Sequence, residues 1–369
     1  MADIKTILRE TSVIFGLKDI PVDKISVTDY ILFLKNNLNN YDKNAIEIDK
    51  LNSLNNFDDY QYILNNGFRI GKDIRKAMNY AGDINWIGAD VNSKYPYDIK
   101  IGNNGISLKE HSYILKNPAL SDYINSLTQY KPPFKTVHIF RLYAAKLFEE
   151  WFSYTLKRLF ETTKDGIVID NLKRECKLIR AGDDIIFSVN NTSTTIKKTD
   201  KINEVEFNRK VGGYLIEHTF SKWINFKLDD DNEYIRLKKA CSETAGENLK
   251  DFIEKNLNID KKSICGLFQI YDDNYLYAKV GTPPILLEVP SFDEVDVELD
   301  SIVVLVPKSQ LNVHFKFKFI ANEKISHITV RVECRYSHGQ FKGVPEAKLY
   351  YTDNDEIGNI YKRINVDEK

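Results

Sequence analysis

Tyr95-Pro96-Tyr97-Asp98-Ile99-Lys100-Ile101-Gly102-Asn103-Asn104-Gly105-Ile106-Ser107-Leu108-Lys109-Glu110 is the stretch on which the reading of this chain turns. Two short alternating runs flank Gly-Asn-Asn-Gly, whose residues accept the positive φ angles of a tight hairpin turn. Side chains alternate along a strand. Ile99 and Ile101 therefore share one face, as do Ile106 and Leu108 on the partner strand, and Asp98, Lys100, Ser107 and Lys109 point the other way. With Asn103-Asn104 as the loop, Asp98 stands directly opposite Lys109, their Cβ atoms roughly 5 Å apart. With Asn104-Gly105 as the loop, Lys109 faces Lys100 and stays diagonal to Asp98. Both registers put the carboxylate and the ammonium on one side of a rigid hairpin with apolar residues behind. Such a pair can hold a metal ion and a water against a phosphate. The plainer alternative is a surface ion pair worth ~0–1 kcal/mol.

Outside the hairpin, residues 1–80 read as helices and loops. Val27-Thr28-Asp29 caps a helix running through Leu38, with Tyr30, Leu32, Phe33 and Leu34 as its apolar stripe. A further helix is expected over Asp73 to Tyr80. Beyond the hairpin, Val137 to Thr162 is the clearest helix: Phe140, Ala144, Leu147, Phe148, Trp151, Tyr154 and Leu159 recur at three- and four-residue steps. It is expected to pack on the sheet that carries the hairpin, with His138 near its start as a cap or core residue. From about residue 165 the pattern turns to strands, at Gly166–Ile169, Asp184–Val189 and Tyr214–His218, with a surface helix over 240–256 and a strand-rich run from Ile264 to Tyr351. This gives an α+β chain in two parts. Residues 1–168 form a helical region with a mixed central sheet flanked by helices, and 169–369 a strand-rich part.

Composition narrows the function classes. The 52 basic residues are balanced by 53 acidic ones, so no global field draws in nucleic acid, and DNA binding would need the basic side chains gathered on one face. Cys176, Cys241, Cys265 and Cys334 are far apart and lack the CxxC spacing of a zinc site. So few cysteines in 369 residues suit a reducing compartment. The first residues lack the apolar centre of a signal peptide, and no apolar run approaches the roughly 20 residues of a membrane span. A cytoplasmic protein is expected. GxxxxGK[ST], HExxH and GxSxG are all missing, which removes nucleotide-loop, zinc-protease and α/β-hydrolase chemistry.

The hairpin resembles the PD-(D/E)XK nucleases, and among them the type II restriction endonucleases, in which a Pro-Asp pair ends one strand and an acid-x-Lys triplet lies on the next. Here Tyr97 separates Pro96 from Asp98, and the triplet is Ser107-Leu108-Lys109, with serine where the family has Asp or Glu. Glu110-His111-Ser112-Tyr113 looks like the polar, DNA-facing segment that follows the lysine in such enzymes. The motif covers about fifteen residues, and a looser helix–hairpin–helix likeness covers about 70–165. The resemblance implies a Mg²⁺-dependent endonuclease acting on double-stranded DNA, sequence-specific and homodimeric. Asp98 would bind Mg²⁺, Lys109 would orient or deprotonate the attacking water, and Ser107 would hold a metal-bound water. In the family a helix before the hairpin often adds a further acid. Asp83 and Asp73 are nearest and Glu47 is distant. Spacing does not choose among them, although Asp83 is the working candidate, and each reads better as a cap or surface acid. Lys100 and His111 would contact DNA.

A second set lies near the C-terminus. In Ile328-Thr329-Val330-Arg331-Val332-Glu333-Cys334-Arg335, apolar residues alternate with a charged face, and a turn carrying His338, Gln340 and Lys342 follows. Arg and Gln read guanine and adenine edges bidentately, and a two-stranded ribbon fits the major groove. Arg331, Arg335, His338, Gln340 and Lys342 are therefore candidate base readers, weighed against a solvated strand face. The rival to the whole reading is a non-catalytic nucleic-acid or protein interaction module with a degenerate nuclease hairpin, which the serine in place of the acid favours.

Overall fold

The computed structural model describes residues 3–77, 82–88, 97–109, 120–130, 138–162, 168–171, 176–189, 192–199, 201, 206, 230–280, 285–321, 323–336, 341, 345–351 and 359–364. In chain order its helices are α1 (Ile4–Lys18), α2 (Val27–Asn37), α3 (Tyr41–Ile48), α4 (Gln61–Ala77), α5 (Leu120–Thr128), α6 (Ile139–Tyr143), α7 (Ala145–Thr162), α8 (Asn232–Lys255) and α9 (Lys261–Leu267). The strands are β1 (Ile84–Trp86), β2 (Ile99–Ile101), β3 (Asn104–Lys109), β4 (Val168–Asn171), β5 (Cys176–Ala181), β6 (Asp184–Val189), β7 (Thr192–Lys197), β8 (Tyr275–Lys279), β9 (Ile285–Val289), β10 (Val295–Leu305), β11 (Leu311–Ala321), β12 (Lys324–Arg335), β13 (Glu346–Tyr351) and β14 (Lys362–Arg363). The chain is α+β, with a mixed sheet flanked by helices.

Capping fixes where the first helices start. The Asp3 carboxylate accepts from Thr6 N at 2.7 Å, and the Ser26 hydroxyl accepts from Asp29 N at 3.0 Å. Ser26, not Val27, is thus the cap of α2, because only it carries a side-chain oxygen within reach of the free amide. Tyr30 and Leu34 are buried as expected, but Leu32 is 52% exposed on the far side of the helix. α4 begins well before the expected Asp73 and buries Ile63, Leu64, Gly67, Ile70, Gly71 and Ile74 on one stripe. That stripe meets α1 backbone to backbone. A Cβ on Gly71 would lie 2.1 Å from the Val13 carbonyl oxygen, and one on Gly16 would lie 2.0 Å from that of Phe68.

The central sheet has the order β1-β2-β3-β8-β9-β14. β3 and β8 run parallel, and the other neighbours are antiparallel. One face carries Ile84, Trp86, Ile99, Ile101, Ile106 and Leu108 into a core shared with α1, α2 and α4. The other carries Tyr97, Tyr275, Tyr277, Leu287 and Val289 into a second core with the remaining helices and the C-terminal sheet. β8 and β9 come from beyond residue 168. The expected boundary between 168 and 169 therefore does not separate the hairpin's sheet from the C-terminal half.

The hairpin forms, in a register neither expected loop allows. Ile99 pairs with Ile106, Lys100 with Gly105 and Ile101 with Asn104, so the loop is Gly102-Asn103. Gly102 has φ +55°, and Gly at the first central position with positive φ is the signature of a II′ hairpin turn. Gly82 packs against Gly102, and Gly102 N donates to the Asp83 carbonyl at 3.0 Å, which fastens the turn to β1.

Among the described residues there are also two antiparallel meanders, β4-β5-β6-β7 and β10-β11-β12-β13. The expected single helix from Val137 breaks at Ala144 (φ −148°) into α6 and α7. His138 caps α6, its Nδ1 accepting from Arg141 N at 3.2 Å. The helix expected on the surface over 240–256 is α8, longer and central. It buries Tyr234, Leu237, Cys241, Ala245, Leu249 and Ile253, and at Gly246 it comes so close to the C-terminal sheet that a Cβ would lie 2.4 Å from Val304. Tyr214–His218 lies outside the described residues. Cys241, Cys265 and Cys334 are free and buried, and burial pushes each thiol up to about 12. Among the described residues no helix is long and apolar enough to cross a membrane.

The α1–α4 contact makes a signed prediction. In an exposed helix interior, Gly→Ala stabilises by about 1 kcal/mol. At Gly71 the added methyl meets backbone, and overpacking of that kind costs ~1–3 kcal/mol. Gly71→Ala is expected to lower the urea midpoint at unchanged slope, whereas a raised midpoint would show that the two backbones are not in contact.

Candidate active site

Asp98 sits in a bend. Tyr97 belongs to one core and Ile99 to the other, although residues two apart in a regular strand share a face. The chain turns over between them, and this aims the Asp98 carboxylate back across β3. Gly105 makes room for the turn, since a Cβ there would fall 2.4 Å from the Tyr97 ring. The backbone is pinned on both sides. Asp98 N donates to Ile106 O at 2.8 Å, and Asp98 O accepts from Ile87 N at 2.8 Å and Gly88 N at 3.1 Å. Oδ2 accepts from Leu108 N at 2.5 Å, lies 3.5 Å from the Ser107 hydroxyl and 3.8 Å from Lys109 Nζ. The expected Asp98–Lys109 pair is therefore present. In the observed register Ser107, not Lys109, stands across from Asp98, and the side chain reaches Lys109 because of the bend.

A second buried acid stands near Asp98, on α1. Glu10 is 6% exposed, and its Oε2 accepts from Trp86 Nε1 at 2.7 Å. The carboxylate lies against Gly88, where a Cβ would approach Oε2 to 2.0 Å. Gly88 is the residue whose amide donates to the Asp98 carbonyl, so both acids flank one backbone segment. The Trp86 that holds Glu10 is itself held by α3 and the residue before it. Asn40 Nδ2 and Asn44 Nδ2 donate to Trp86 O at 2.7 and 2.9 Å, and Trp86 N donates to Asn40 Oδ1 at 3.0 Å. Asn40, which in sequence looks like compositional bias, thus caps the edge of β1 as a strand would.

The two acids feel each other electrostatically. Burial, reinforced by the charge of Asp98, pushes the Glu10 carboxyl up to about 8, against the Trp86 N–H, Lys109 and Arg9. Burial also raises Asp98, opposed first by Lys109 and then by the Leu108 N–H. Two desolvated carboxylates at one site cannot both ionise cheaply, although Lys109 and Arg9 oppose both shifts. Such a pair takes up a proton or a cation. Hard oxygen donors suit Mg²⁺, which is bound through one or two carboxylates and otherwise keeps its waters or takes substrate phosphate oxygens. Glu10 and Asp98 fit that donor set. Among the described residues no group of three or more His, Cys, Asp and Glu side chains gathers to hold a metal ion by itself.

The other expected residues fall elsewhere. Asp83 is exposed at the turn end of the hairpin, opposite Gly102 and hence ~13 Å along the strands from the level of Asp98. It is too remote to share an ion with Asp98. Glu47 is ion-paired with Lys50, and Asp73 is half-buried on α4. Ser107 is wholly buried and faces Asp98, so it is placed to orient the carboxylate and not to meet a solvent-borne water. Lys100 is half-buried opposite Gly105, on the turn side of Asp98. His111, His338, Gln340 and Lys342 lie outside the described residues. Arg331 and Arg335 do share the outer face of β12, both half-buried, on a different sheet from the carboxylates. The Arg331 guanidinium stacks 4.3 Å over the Tyr350 ring, and Arg335 lies 3.7 Å from Glu333.

Glu10 left a trace in the sequence. It stands three residues after Ile7 and three and four before Val13 and Ile14, an acid on the apolar stripe of its helix. Its raised carboxyl gives a pH signature. The folded protein holds Glu10 protonated while the unfolded chain ionises it near 4.5, so stability is full below that value and is lost as pH rises through about 8. Asp98, also raised, adds the same sign. The wild-type melting temperature is expected to fall over this interval, and more gently in Glu10→Gln, which keeps an acceptor for Trp86 without titrating. A slope shared by both proteins would remove Glu10 as its source. In comparisons with known proteins, no family model, no curated protein and no solved structure matches the chain.

Proposed function

We propose that the protein is a Mg²⁺-dependent DNA endonuclease of the PD-(D/E)XK kind, a sequence-specific type II restriction enzyme acting on double-stranded DNA in the cytoplasm. The observation that carries this reading is the convergence of Asp98, Lys109 and Glu10 at one edge of a mixed sheet. The order of elements supports it too: a helix bearing an acid, an antiparallel meander, a long crossover, and a strand returning parallel to the last strand of the meander. Glu10 answers the main objection, the serine in the acid-x-Lys triplet, by supplying the second carboxylate from α1. When bound, the metal supplies phosphate polarisation and water activation. The chain's own contribution is preorganisation. Backbone hydrogen bonds fix Asp98 from two sides, Trp86 fixes Glu10, and Lys109 stands ready to orient the attacking water or to offset charge developing on the phosphate.

The C-terminal sheet is proposed to read bases. What supports this is a half-buried strand face on which the Arg331 guanidinium lies 4.3 Å over the Tyr350 ring, so a guanidinium offered to a base edge loses little rotamer freedom. A homodimer follows if the target site is a palindrome, since protein symmetry mirrors site symmetry. The rival reading, a non-catalytic module, is favoured only by Ser107.

Plasmid nicking with and without Mg²⁺ separates the two. Asp98→Asn, Glu10→Gln and Lys109→Met are each expected to lower the Mg²⁺-dependent rate by about 10²-fold or more, the scale of losing one positioned proton-transfer or charge-stabilising group. Asp98→Asn is preferable to Asp98→Ala. The Asp98 side chain is only 14% exposed, and truncation leaves the Leu108 N–H without its acceptor at ~1–3 kcal/mol. Full activity in Asp98→Asn would end the assignment.

For recognition, Arg335→Ala or Arg331→Ala is expected to cost ~1–3 kcal/mol on the preferred site while sparing non-specific binding. Equal losses on every duplex would make these residues phosphate contacts instead.

A further inference from the structure

α4 gathers positive charge that the chain as a whole lacks. It holds Arg69, Lys72, Arg75 and Lys76 against one acid, Asp73, in a protein whose 52 basic residues are outnumbered by 53 acidic ones. Tyr62, Asn65, Arg69, Lys72 and Lys76 follow one another at steps of three and four, so they form one row along the helix. The buried stripe that packs on α1, from Ile63 to Ile74, lies on the opposite side. Tyr62, Asn65, Arg69 and Lys76 are accordingly exposed, and Lys72 is half-buried.

Helix stability does not account for this row. The helix dipole favours cations in the last turn, which covers Arg75 and Lys76 but not Arg69 or Lys72. Like charges at helical spacing are destabilising, and Arg69–Lys72, Lys72–Arg75 and Lys72–Lys76 are such pairs. Asp19, just past the end of α1, serves two of the four cations at once, 3.1 Å from Lys72 Nζ and 3.7 Å from an Arg75 nitrogen. Among the described residues Arg69 and Lys76 have no ion pair.

Arg, Lys, Asn and Tyr side chains are among those that contact the phosphate oxygens of DNA. From Arg69 to Lys76 the helix rises about 10 Å at 1.5 Å per residue. One strand of a B-form duplex presents a phosphate for every ~3.4 Å of its axis, so three cations over that length match about three successive phosphates. α4 packs on the side of the central sheet that bears Trp86, the partner of Glu10, and so flanks the carboxylates. We propose that the outer face of α4 docks the sugar-phosphate backbone of duplex DNA, with Arg69, Lys72 and Lys76 as phosphate contacts. This rests on the nuclease reading for the identity of the polyanion. The row holds backbone away from the phosphate to be cut, so it positions substrate and takes no part in chemistry.

The test is equilibrium binding of a fluorescein-labelled random-sequence duplex without divalent metal, over a series of salt concentrations. Wild type is compared with Arg69→Gln/Lys76→Gln, which spares the Asp19 pairs and keeps good helix formers, and with the charge-conserving Arg69→Lys/Lys76→Arg. Lys239→Gln/Lys255→Gln, on the exposed side of α8, removes the same two charges elsewhere and is the control. Each lost phosphate contact makes the slope of log K against log salt shallower by about 0.9. Arg69→Gln/Lys76→Gln is expected to lose about twice that, with a several-fold loss of affinity at low salt, while the charge-conserving pair and the control match wild type. With Mg²⁺, the Gln pair should raise KM with kcat nearly unchanged. An unchanged slope in a Gln pair of normal circular dichroism would overturn the proposal and leave the nuclease reading standing if that variant still cuts. An equal change in the control would overturn it too, because net charge alone would then be responsible. So would a Gln pair that binds duplex normally but no longer binds phosphatidylserine-containing vesicles, which would make the face a membrane contact. Wild type that binds the duplex but does not cut it would refute the nuclease reading, and the salt slope would still decide the role of α4. Wild type that binds no duplex would refute both.

Discussion

The parallel pairing of β3 with β8 holds this molecule together and creates its site. It joins residues 106–109 to residues 276–279, across nearly half of the chain. Parallel strands need a long crossover, and here the crossover contains α5 through α9 and the meander β4-β5-β6-β7. Closing so long a loop is entropically costly, though the cost grows only slowly with length. The return is a sheet buried on both faces, between the core built with α1, α2 and α4 and the one built with the C-terminal sheet. Stability of the helical region and of the strand-rich part are coupled through that shared sheet.

At the edge of the sheet the physics reverses. Inside, Ile99, Ile106, Leu108 and Tyr277 are sealed from water. At the edge, Glu10 and Asp98 are drawn in, and desolvation outweighs the opposing charges of Lys109 and Arg9. Burying an ion costs several kcal/mol even after relaxation. The protein meets this with a proton on Glu10, with the Lys109 ammonium, and with directed hydrogen bonds from Trp86 N–H and Leu108 N–H. The same burial that weakens the fold at high pH strengthens the electrostatics available there, because fewer waters compete.

The scaffold around the acids is built for position. Asn40 takes the place of a strand at the edge of β1, Trp86 transmits that placement to Glu10, and Gly88 and Gly105 leave space that a side chain would fill. Gly16, Gly67 and Gly71 let α4 press α1 toward the sheet, so the height of Glu10 over the hairpin is set by backbone contact. The outer face of β12 follows a different logic. Arg331 and Arg335 are held by an aromatic ring and a neighbouring acid, on a sheet that shares the second core but none of the carboxylates.

What the sequence determined by itself was local. Alternation in Ile99–Ile101 and Ile106–Leu108 gave the hairpin and its buried face, it put Asp98 and Lys109 on one side of that hairpin, and His138 could be read as a cap. These depend on residues close in the chain, where backbone periodicity and hydrogen-bonding groups suffice. Other features depended on contacts between distant segments. The register was decided by Gly82 and Asp83 packing on Gly102. The face of Asp98 was decided by a bend that two separate cores impose on Tyr97 and Ile99. The second acid came from α1, where Glu10 is marked in sequence only as a charge on an apolar stripe, and β8 reached β3 through a pairing that closes over the intervening chain. Local pattern carries no record of such contacts, because they are selected by how the two cores fill and by which strand edges are left to pair once each helix has buried its own stripe.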